Sequence, residues 1–359
     1  MTMLKSKLLG ASCAAAFVAA AVILPQGARA DQPTLNLFTW SAYIDPAMIT
    51  DFEKQCGCKV VETDYDSNSE MEAKLKAGAD SQYDVVVPSS YYVARLITEG
   101  LIQPLDHGAI TNFKNLETKF QNPTYDPGDK YSIPYQWGTT GVGYLQDQIK
   151  DPAQSWGLLF DPKINTTYPF TLMSGSGQDT IGAACAYLGY GFTCDTKAEW
   201  LAAAKLIKET RARKNFAGFV DGEPERDQLK SKLNSAGMVF NGDVATSYAD
   251  GSGKDIGFFL PKEGTEIWVD TMAIPAHAPN AKLGLEFINF ILDAKEGAAL
   301  SNFNDYSSPN AASQPMLADN LKARLVSPTP EDFKLLHFLP PLSGAKLKLF
   351  NAIWTASKQ

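Results

Sequence analysis

From Thr34 onward, short runs rich in apolar, β-branched and aromatic residues alternate with segments that carry helix start and stop signals. "TLNLFTW" reads as a strand, Asp45-Pro46 opens a helix through "MITDFEKQ", and "CKVVETDYD" reads as a second strand. Asp45 has the short carboxylate of an N-cap, and Pro46 has the fixed φ suited to a first helical turn. A helix over "SEMEAKLKAG", the apolar strand "YDVVVPS" and a helix "YVARLITEG" follow, with stops at Gly78 and Gly100. A βαβαβ run of this kind packs as a mostly parallel sheet, and ligands gather where strand C-termini open into loops. Trp40 and Ser89 fall at such ends.

A second set follows "PYQWGTTGVGYLQDQI". "YPFTLMS" reads as a strand, "SGQDTIGAACAYLGY" as a helix, Lys197 to about Arg213 as a long helix, and "AGMVFNGD" as a strand. "FFLP", "EIWVDTMAIP" and a helix "AKLGLEFINFILDAK" complete it. Two halves of similar grammar, joined by extended Gly-rich segments, predict an α/β protein of two lobes. The 359 residues, 45% apolar and 20% charged, supply cores for both and exclude a disordered chain.

The first thirty residues are a different object. Lys5 and Lys7 precede an Ala-rich apolar run from Leu8 to Leu24, and Ala28-Arg29-Ala30 stands before Asp31. This is the pattern of a secretory signal peptide over residues 1–30. A retained anchor needs about 20 apolar residues, more than this diluted run provides. The mature protein is therefore expected beyond the inner membrane, in the periplasm. Removing Lys5, Lys7 and Arg29 takes the net charge from −8 by three to −11. Such a surface repels nucleic acid.

Cleavage leaves Cys56, Cys58, Cys185 and Cys194, an even number in an oxidising compartment. Cys185 to Cys194 is the favoured pair, because the loop "LGYGFT" closes between them without strain. Cys56 and Cys58 bridge in a tight ring, bind a metal or stay reduced. A zinc site is disfavoured by the lack of a histidine or further cysteine at ligand spacing, and no cofactor is expected.

Aromatic residues at strand C-termini beside small polar residues are the next signal. Trp40 and Tyr43 lie in "TWSAYIDP", Ser89, Tyr91 and Tyr92 in "VPSSYYV", Trp137 in "PYQWGTT", Phe240 in "MVFNGD", then Trp268 and Tyr306. Any one of them alone is readily a core residue; their recurrence at one kind of position is harder to dismiss. Three carboxylates lie among them. Asp179 sits in a helix first turn, where the dipole welcomes a negative charge, and Asp243 suits a turn or an N-cap. Asp270 has no such ordinary role: it interrupts the apolar run "IWVDTMAI" with no cation near it in sequence. A lone buried carboxylate is costly unless something positive or hydrogen-bonding meets it. Aromatic faces around a carboxylate suit an alkylammonium, each face attracting a cation by roughly 0.5–2 kcal/mol.

These segments resemble the periplasmic spermidine/putrescine-binding proteins of ABC importers. "LFTWSAYIDP", "YDVVVPSSYYV", "GLIQPLD", "YSIPYQWGTTGVGY", "PKEGTEIWVDTMAIPAHA" and "EFINFILD" look like that family's segments in order, across essentially the whole mature chain. The resemblance implies a two-lobe periplasmic binding protein fold with hinge-linked mixed sheets. Lobe 1 is expected over 31–139 plus about 270–313, and lobe 2 over about 140–269 plus 314–359. Hinge strands are expected near Gly138 to Gly143 and around Trp268 to Thr271.

The resemblance also assigns an aromatic wall to Trp40, Tyr43, Tyr91, Trp268 and Tyr306, with amine hydrogen bonds at Ser89 and Asp270. Asp179 falls where the family usually has glutamate, and Asp243 agrees with its putrescine-preferring branch. Three departures stand out: Ser176 replaces a family aspartate, Phe240 a common tryptophan, and "HFLPPLSG" has no match to a C-terminal glutamine. With that charge lost, a diamine such as putrescine is better served than spermidine. An alternative is a short ω-amino acid such as 4-aminobutyrate, its carboxylate held at the helix start in "MSGSGQDT"; equally, those glycines serve only a tight turn. The implied partners are the small amine and an ABC permease, with the protein itself a monomer.

A secreted hydrolase using cleft carboxylates is the rival class. No nucleophile elbow surrounds Ser174 or Ser176, and "GSGQDT" lacks the third glycine of a dinucleotide loop. His107 and His277 read as surface residues. An enzyme is therefore not expected.

Overall fold

The structure, a computed structural model, describes residues 32–175, 177–249, 251–322 and 326–359. The expected signal peptide and Ser176 lie outside the described residues. Strand β1 (Thr34–Trp40) lies between β2 (Lys59–Tyr65) and β3 (Val85–Val86), parallel to both. The long β4 (Ser132–Leu145) follows. A second parallel set is formed by β5 (Phe170–Leu172), β6 (Phe216–Phe219) and β7 (Ala236–Phe240), with β5 in the middle. Strand β8 (Ile256–Phe259) pairs antiparallel with β4. Strand β9 (Thr265–Ala273) pairs antiparallel with β3 and β4, and the short β10 (Leu336–His337) adds to it in parallel.

The hydrogen-bonded path thus runs β2-β1-β3-β9-β4-β7-β5-β6. Its two parallel sets are joined through an antiparallel pair, β9 and β4, which gives the two-lobe fold its mixed sheets. The pair matches Ser132 with Ala273 at one end and Thr139 with Ile267 at the other, with an irregularity between Pro134 and Gln136. Beyond Thr139, β4 leaves β9 and pairs with β7 through Thr140↔Phe240. The Gly138 to Gly143 stretch and the Trp268 to Thr271 stretch therefore lie where chain passes between the two sets.

Each set has its own core. Leu35, Leu37, Phe52, Phe287 and Ile288 pack on one face of the first, and Phe38, Tyr65, Met71 and Leu96 on the other. Phe52 is fully buried, with the Phe287 and Phe290 rings 5.1 and 5.3 Å away. Trp156, Phe160, Phe170, Ile181, Trp200 and Phe350 fill the second core. Each such side chain contributes about 1.5–3 kcal/mol by leaving water.

Local chemistry explains the main boundaries. Asp45 accepts a hydrogen bond from Ala47 N at 2.8 Å and caps the helix Pro46–Cys56, which ends on left-handed Gly57. Thr196 and Glu199 form a reciprocal capping box for the helix Lys197–Arg211. The third strand is much shorter than "YDVVVPS", because Pro88 has no N–H for a ladder. Its carbonyl instead accepts from Thr271 N, and Ser89 bridges Asp270. Helices Gly222–Lys230, Asn241–Ala249, Ala294–Asn304 and Gly344–Ser357 go beyond the elements the sequence signals define.

Cys185 and Cys194 are disulfide-bonded, as the loop spacing suggests, and Cys56–Cys58 is also closed. Among the described residues no helix is long and apolar enough to cross a membrane.

Candidate functional site

Side chains of a strand alternate between its two faces. On β9 this puts Glu266, Trp268 and Asp270 on one face and Ile267 and Val269 on the other. Ile267 and Val269 cluster with Phe120 and Trp137. Trp137, which donates from Nε1 to the Ser308 carbonyl at 3.3 Å, thus packs away from Asp270 and serves the core. That removes it from the candidates.

Asp270 is buried, 6% exposed, and it is met by hydroxyls. Tyr43 donates to Oδ2 at 2.8 Å and Ser89 donates to Oδ1 at 2.6 Å. Among the described residues no cation forms an ion pair with it. Ser89 owes its position to the end of β3 and to Asn68, whose amide donates to Ser89 Oγ at 3.0 Å and whose Oδ1 accepts from Ser89 N at 3.0 Å. The same Asn68 amide reaches the Tyr91 hydroxyl at 3.3 Å. Trp40 closes this end. Its indole donates to the Val87 carbonyl at 2.9 Å and packs on Tyr65 at 4.7 Å between centroids. Burial lifts the Asp270 carboxyl to about 6, and the Ser89 and Tyr43 hydrogen bonds only partly offset it.

An aromatic cluster links Asp270 to a second acid. The Tyr306 ring stands edge-on to Tyr43 at 5.8 Å and to Trp268 at 5.1 Å, and Phe240 meets Trp268 at 5.6 Å. The Tyr306 hydroxyl then donates to Asp243 Oδ1 at 3.2 Å. Asp243 lies in the first turn of the helix Asn241–Ala249 just after β7. Its Oδ2 and the Trp268 Nε1 are both buried without a hydrogen-bond partner. Burial raises Asp243 to about 7, with Arg226 pulling the other way. An unpaired buried acceptor beside aromatic faces, with another buried carboxylate across the cluster, has chemistry suited to charge-assisted hydrogen bonds from cationic N–H groups.

Asp179 lies in the first turn of the helix Gln178–Tyr187, 7% exposed and near Glu266. Thr140 donates to Glu266 Oε2 at 3.1 Å. Burial and the nearby Asp179 hold Glu266 well above the usual carboxylate range. Glu266 is not among the residues singled out in sequence, although the alternation that exposes Asp270 as anomalous applies to it equally. Ser174 N and Gly175 N are already engaged: they donate to Asp221 Oδ1 at 2.8 and 3.1 Å. Among the described residues no cluster of three or more His, Cys, Asp and Glu side chains is placed to hold a metal.

The chain is similar to known proteins over most of its length. A family model described as bacterial extracellular solute-binding protein matches residues 47–324. A spermidine/putrescine-binding periplasmic protein of Salmonella typhimurium is 36% identical over 291 residues, 80% of this chain and 81% of that protein. The putrescine-binding periplasmic protein PotF of Escherichia coli is 30% identical, covering 100% of this chain and 99% of its own. Among solved structures, the spermidine/putrescine ABC transporter substrate-binding protein PotD of Streptococcus pneumoniae superposes with a TM-score of 0.75 at 25% identity, over 91% of this chain and 100% of that one.

Proposed function

Because the chain belongs to the bacterial extracellular solute-binding proteins, we propose that it captures a polyamine, a putrescine-like diamine ahead of spermidine, and delivers it to an ABC permease. The observation that carries this reading is Asp270: a buried carboxylate met by two hydroxyls, with no cation paired to it among the described residues, beside aromatic rings. A diamine supplies the missing positive charge there and a second one at Asp243, while Trp268, Tyr306, Tyr43 and Phe240 cover its methylenes, and Trp40 and Tyr91 close the Asp270 end. Asp179 and Ser89 complete the set. Polyamine-binding relatives of comparable length support the same ligand class.

Capture proceeds by lobe closure. Residues 31–139 with 270–313 form one lobe and 140–269 with 314–359 the other, and the β4–β9 crossing serves as hinge. Ligand contacts made only in the closed form shift the open-to-closed equilibrium. The protein works as a monomer in the periplasm after removal of residues 1–30, binds no nucleic acid and turns over no substrate. An ω-amino acid finds less support, since the loop N–H groups that would hold its carboxylate already bind Asp221.

The test is calorimetry on the mature protein with putrescine, cadaverine, spermidine and 4-aminobutyrate. Putrescine binding tightest is the expected result. Binding of 4-aminobutyrate alone, or of none of the four, would overturn the proposal.

A further inference from the structure

Hydrogen-bond polarity can be traced behind Asp270 from one donor whose identity is fixed by the backbone. Ser89 N–H donates to Asn68 Oδ1 at 3.0 Å, which establishes the end of the Asn68 amide that faces it. The other end is therefore the NH2 group, and it reaches Ser89 Oγ at 3.0 Å and the Tyr91 hydroxyl at 3.3 Å. An amide NH2 only donates. Ser89 Oγ thus accepts from Asn68, and its single proton goes to Asp270 Oδ1, 2.6 Å away. Tyr43 donates to the other oxygen at 2.8 Å, so Asp270 meets two O–H donors at once. That arrangement suits a carboxylate and not a carboxylic acid, whose own proton would compete with one of them.

Asn68 is itself firmly placed. It is the first residue of the helix Asn68–Lys76, 4% exposed, behind the N-cap Ser67, whose hydroxyl accepts from Glu70 N at 3.2 Å. Glu70 in turn accepts from Asp66 N at 3.1 Å. The next residue, Ser69, has its Oγ 2.9 Å from the Tyr92 hydroxyl. Two consecutive residues at the start of this helix therefore hold the start of the helix Ser90–Thr98, whose N-cap is Ser89.

We propose that Asn68 is a positioning residue for ligand capture: by donating to Ser89 it fixes the direction of the Ser89 proton, so that Asp270 is presented to an ammonium as an ionised acceptor. This rests on the polyamine reading above. Without the amide donor the Ser89 hydroxyl can turn away, Asp270 loses a hydrogen bond, and its carboxyl takes up a proton at higher pH. A protonated Asp270 offers an ammonium no counter-charge. The titratable groups that feel Asp270 are Tyr43 after β1, Tyr65 on β2, Tyr125 before β4, Tyr135 on β4, Tyr306 after the helix Ala294–Asn304, and Glu266 on β9. None of these carries a positive charge that would keep the carboxylate ionised in place of Asn68.

The experiment is titration calorimetry with putrescine from about pH 5 to 8 on wild type, Asn68→Ala, Ser89→Ala and the double variant. Each single variant is expected to lose roughly tenfold in affinity at about pH 7. The pH below which binding weakens should move up by about one unit in each. The double variant should bind about as well as the weaker single one, because the two residues act through one proton. If Asn68→Ala melts too low to titrate, Asn68→Asp keeps an acceptor for Ser89 N while removing the donor, and the same upward move is expected. Losses that multiply in the double variant, or a pH dependence that stays where wild type has it, would mean that Asn68 serves packing alone; either result overturns the assignment and leaves the polyamine reading intact. Failure of wild type to bind putrescine at any of these pH values would overturn both.

Discussion

The Tyr43 hydroxyl and Asp270, 227 positions apart in the chain, are joined by a 2.8 Å hydrogen bond in the interior. That bond links the loop after β1 to β9, the strand that lies between β3 and β4, and it fixes the carboxylate's direction. With Ser89 on the other oxygen, both Asp270 oxygens are oriented before any ligand arrives. Orientation of this kind lowers the entropy that binding would otherwise lose.

Asp270→Asn separates the role of the charge from that of the shape. Putrescine affinity should fall by more than about 2 kcal/mol, because an ammonium would be left without its counter-charge. The unliganded variant should not lose thermal stability at about pH 8, because removing a buried carboxylate that no cation among the described residues accompanies relieves a desolvation penalty. Titration calorimetry and a melting curve measure the two quantities. Unchanged affinity would contradict the role assigned to Asp270.

Protonation gives a second expectation. Burial raises Asp270 to about 6 and Asp243 to about 7, from a value of 3.8 for each. The folded state therefore holds these protons more tightly than the unfolded chain. The associated stability is fully present below about pH 3.8 and is lost as pH rises through 6 and 7. A tenfold difference in proton affinity between the two states corresponds to about 1.4 kcal/mol. A dication restores that loss by pairing with the ionised forms. The rise in melting temperature caused by saturating putrescine should consequently be larger at about pH 8 than at about pH 5.5. An equal rise at both, in scanning calorimetry, would mean that these acids do not face the amine.

The disulfide between Cys185 and Cys194 ties the end of the helix Gln178–Tyr187 to the segment before Lys197 across a separation of 9 residues. Closing so short a loop restricts the unfolded chain by roughly 2–3 kcal/mol. A Cys185→Ser/Cys194→Ser double variant should melt at a lower temperature by that equivalent while binding putrescine with nearly the same affinity, since neither cysteine touches Asp270 or Asp243. Differential scanning calorimetry with a parallel binding titration checks both halves.

Much of this arrangement is legible in the sequence because its signals are local. Asp45-Pro46 and Thr196 with Glu199 mark helix starts within four residues, and the anomaly of Asp270 is visible against its immediate neighbours. Glu266 is harder to see: its neighbours Thr140 and Asp179 are brought to it by strand pairing and by the placement of another helix, which no short window of sequence contains. Asp221 is hidden for the same reason, since it reaches the Ser174 loop over 47 residues. Trp137 looks like Trp40 in its sequence surroundings, and only the β4–β9 register, which pairs it with Val269 instead of Trp268, turns it toward a different cluster.

Gly242 tests whether the Tyr306 ring must sit where it does. A methyl group at this position would lie 2.2 Å from Tyr306 Cε1 and 2.3 Å from Cδ1, well inside contact distance. Tyr306 cannot simply swing aside. Its ring is held edge-on between Tyr43 and Trp268, and its hydroxyl is bonded to Asp243. Gly242→Ala should therefore cost about 1–3 kcal/mol of stability through overpacking and, by displacing the ring, weaken putrescine binding as well. Tyr306→Phe provides the complement: it keeps the ring and removes only the hydroxyl, so its effect on binding should be the smaller of the two. If Gly242→Ala binds as wild type while Tyr306→Phe does not, the hydroxyl and not the ring's position governs recognition, and the aromatic cluster has been given the wrong part.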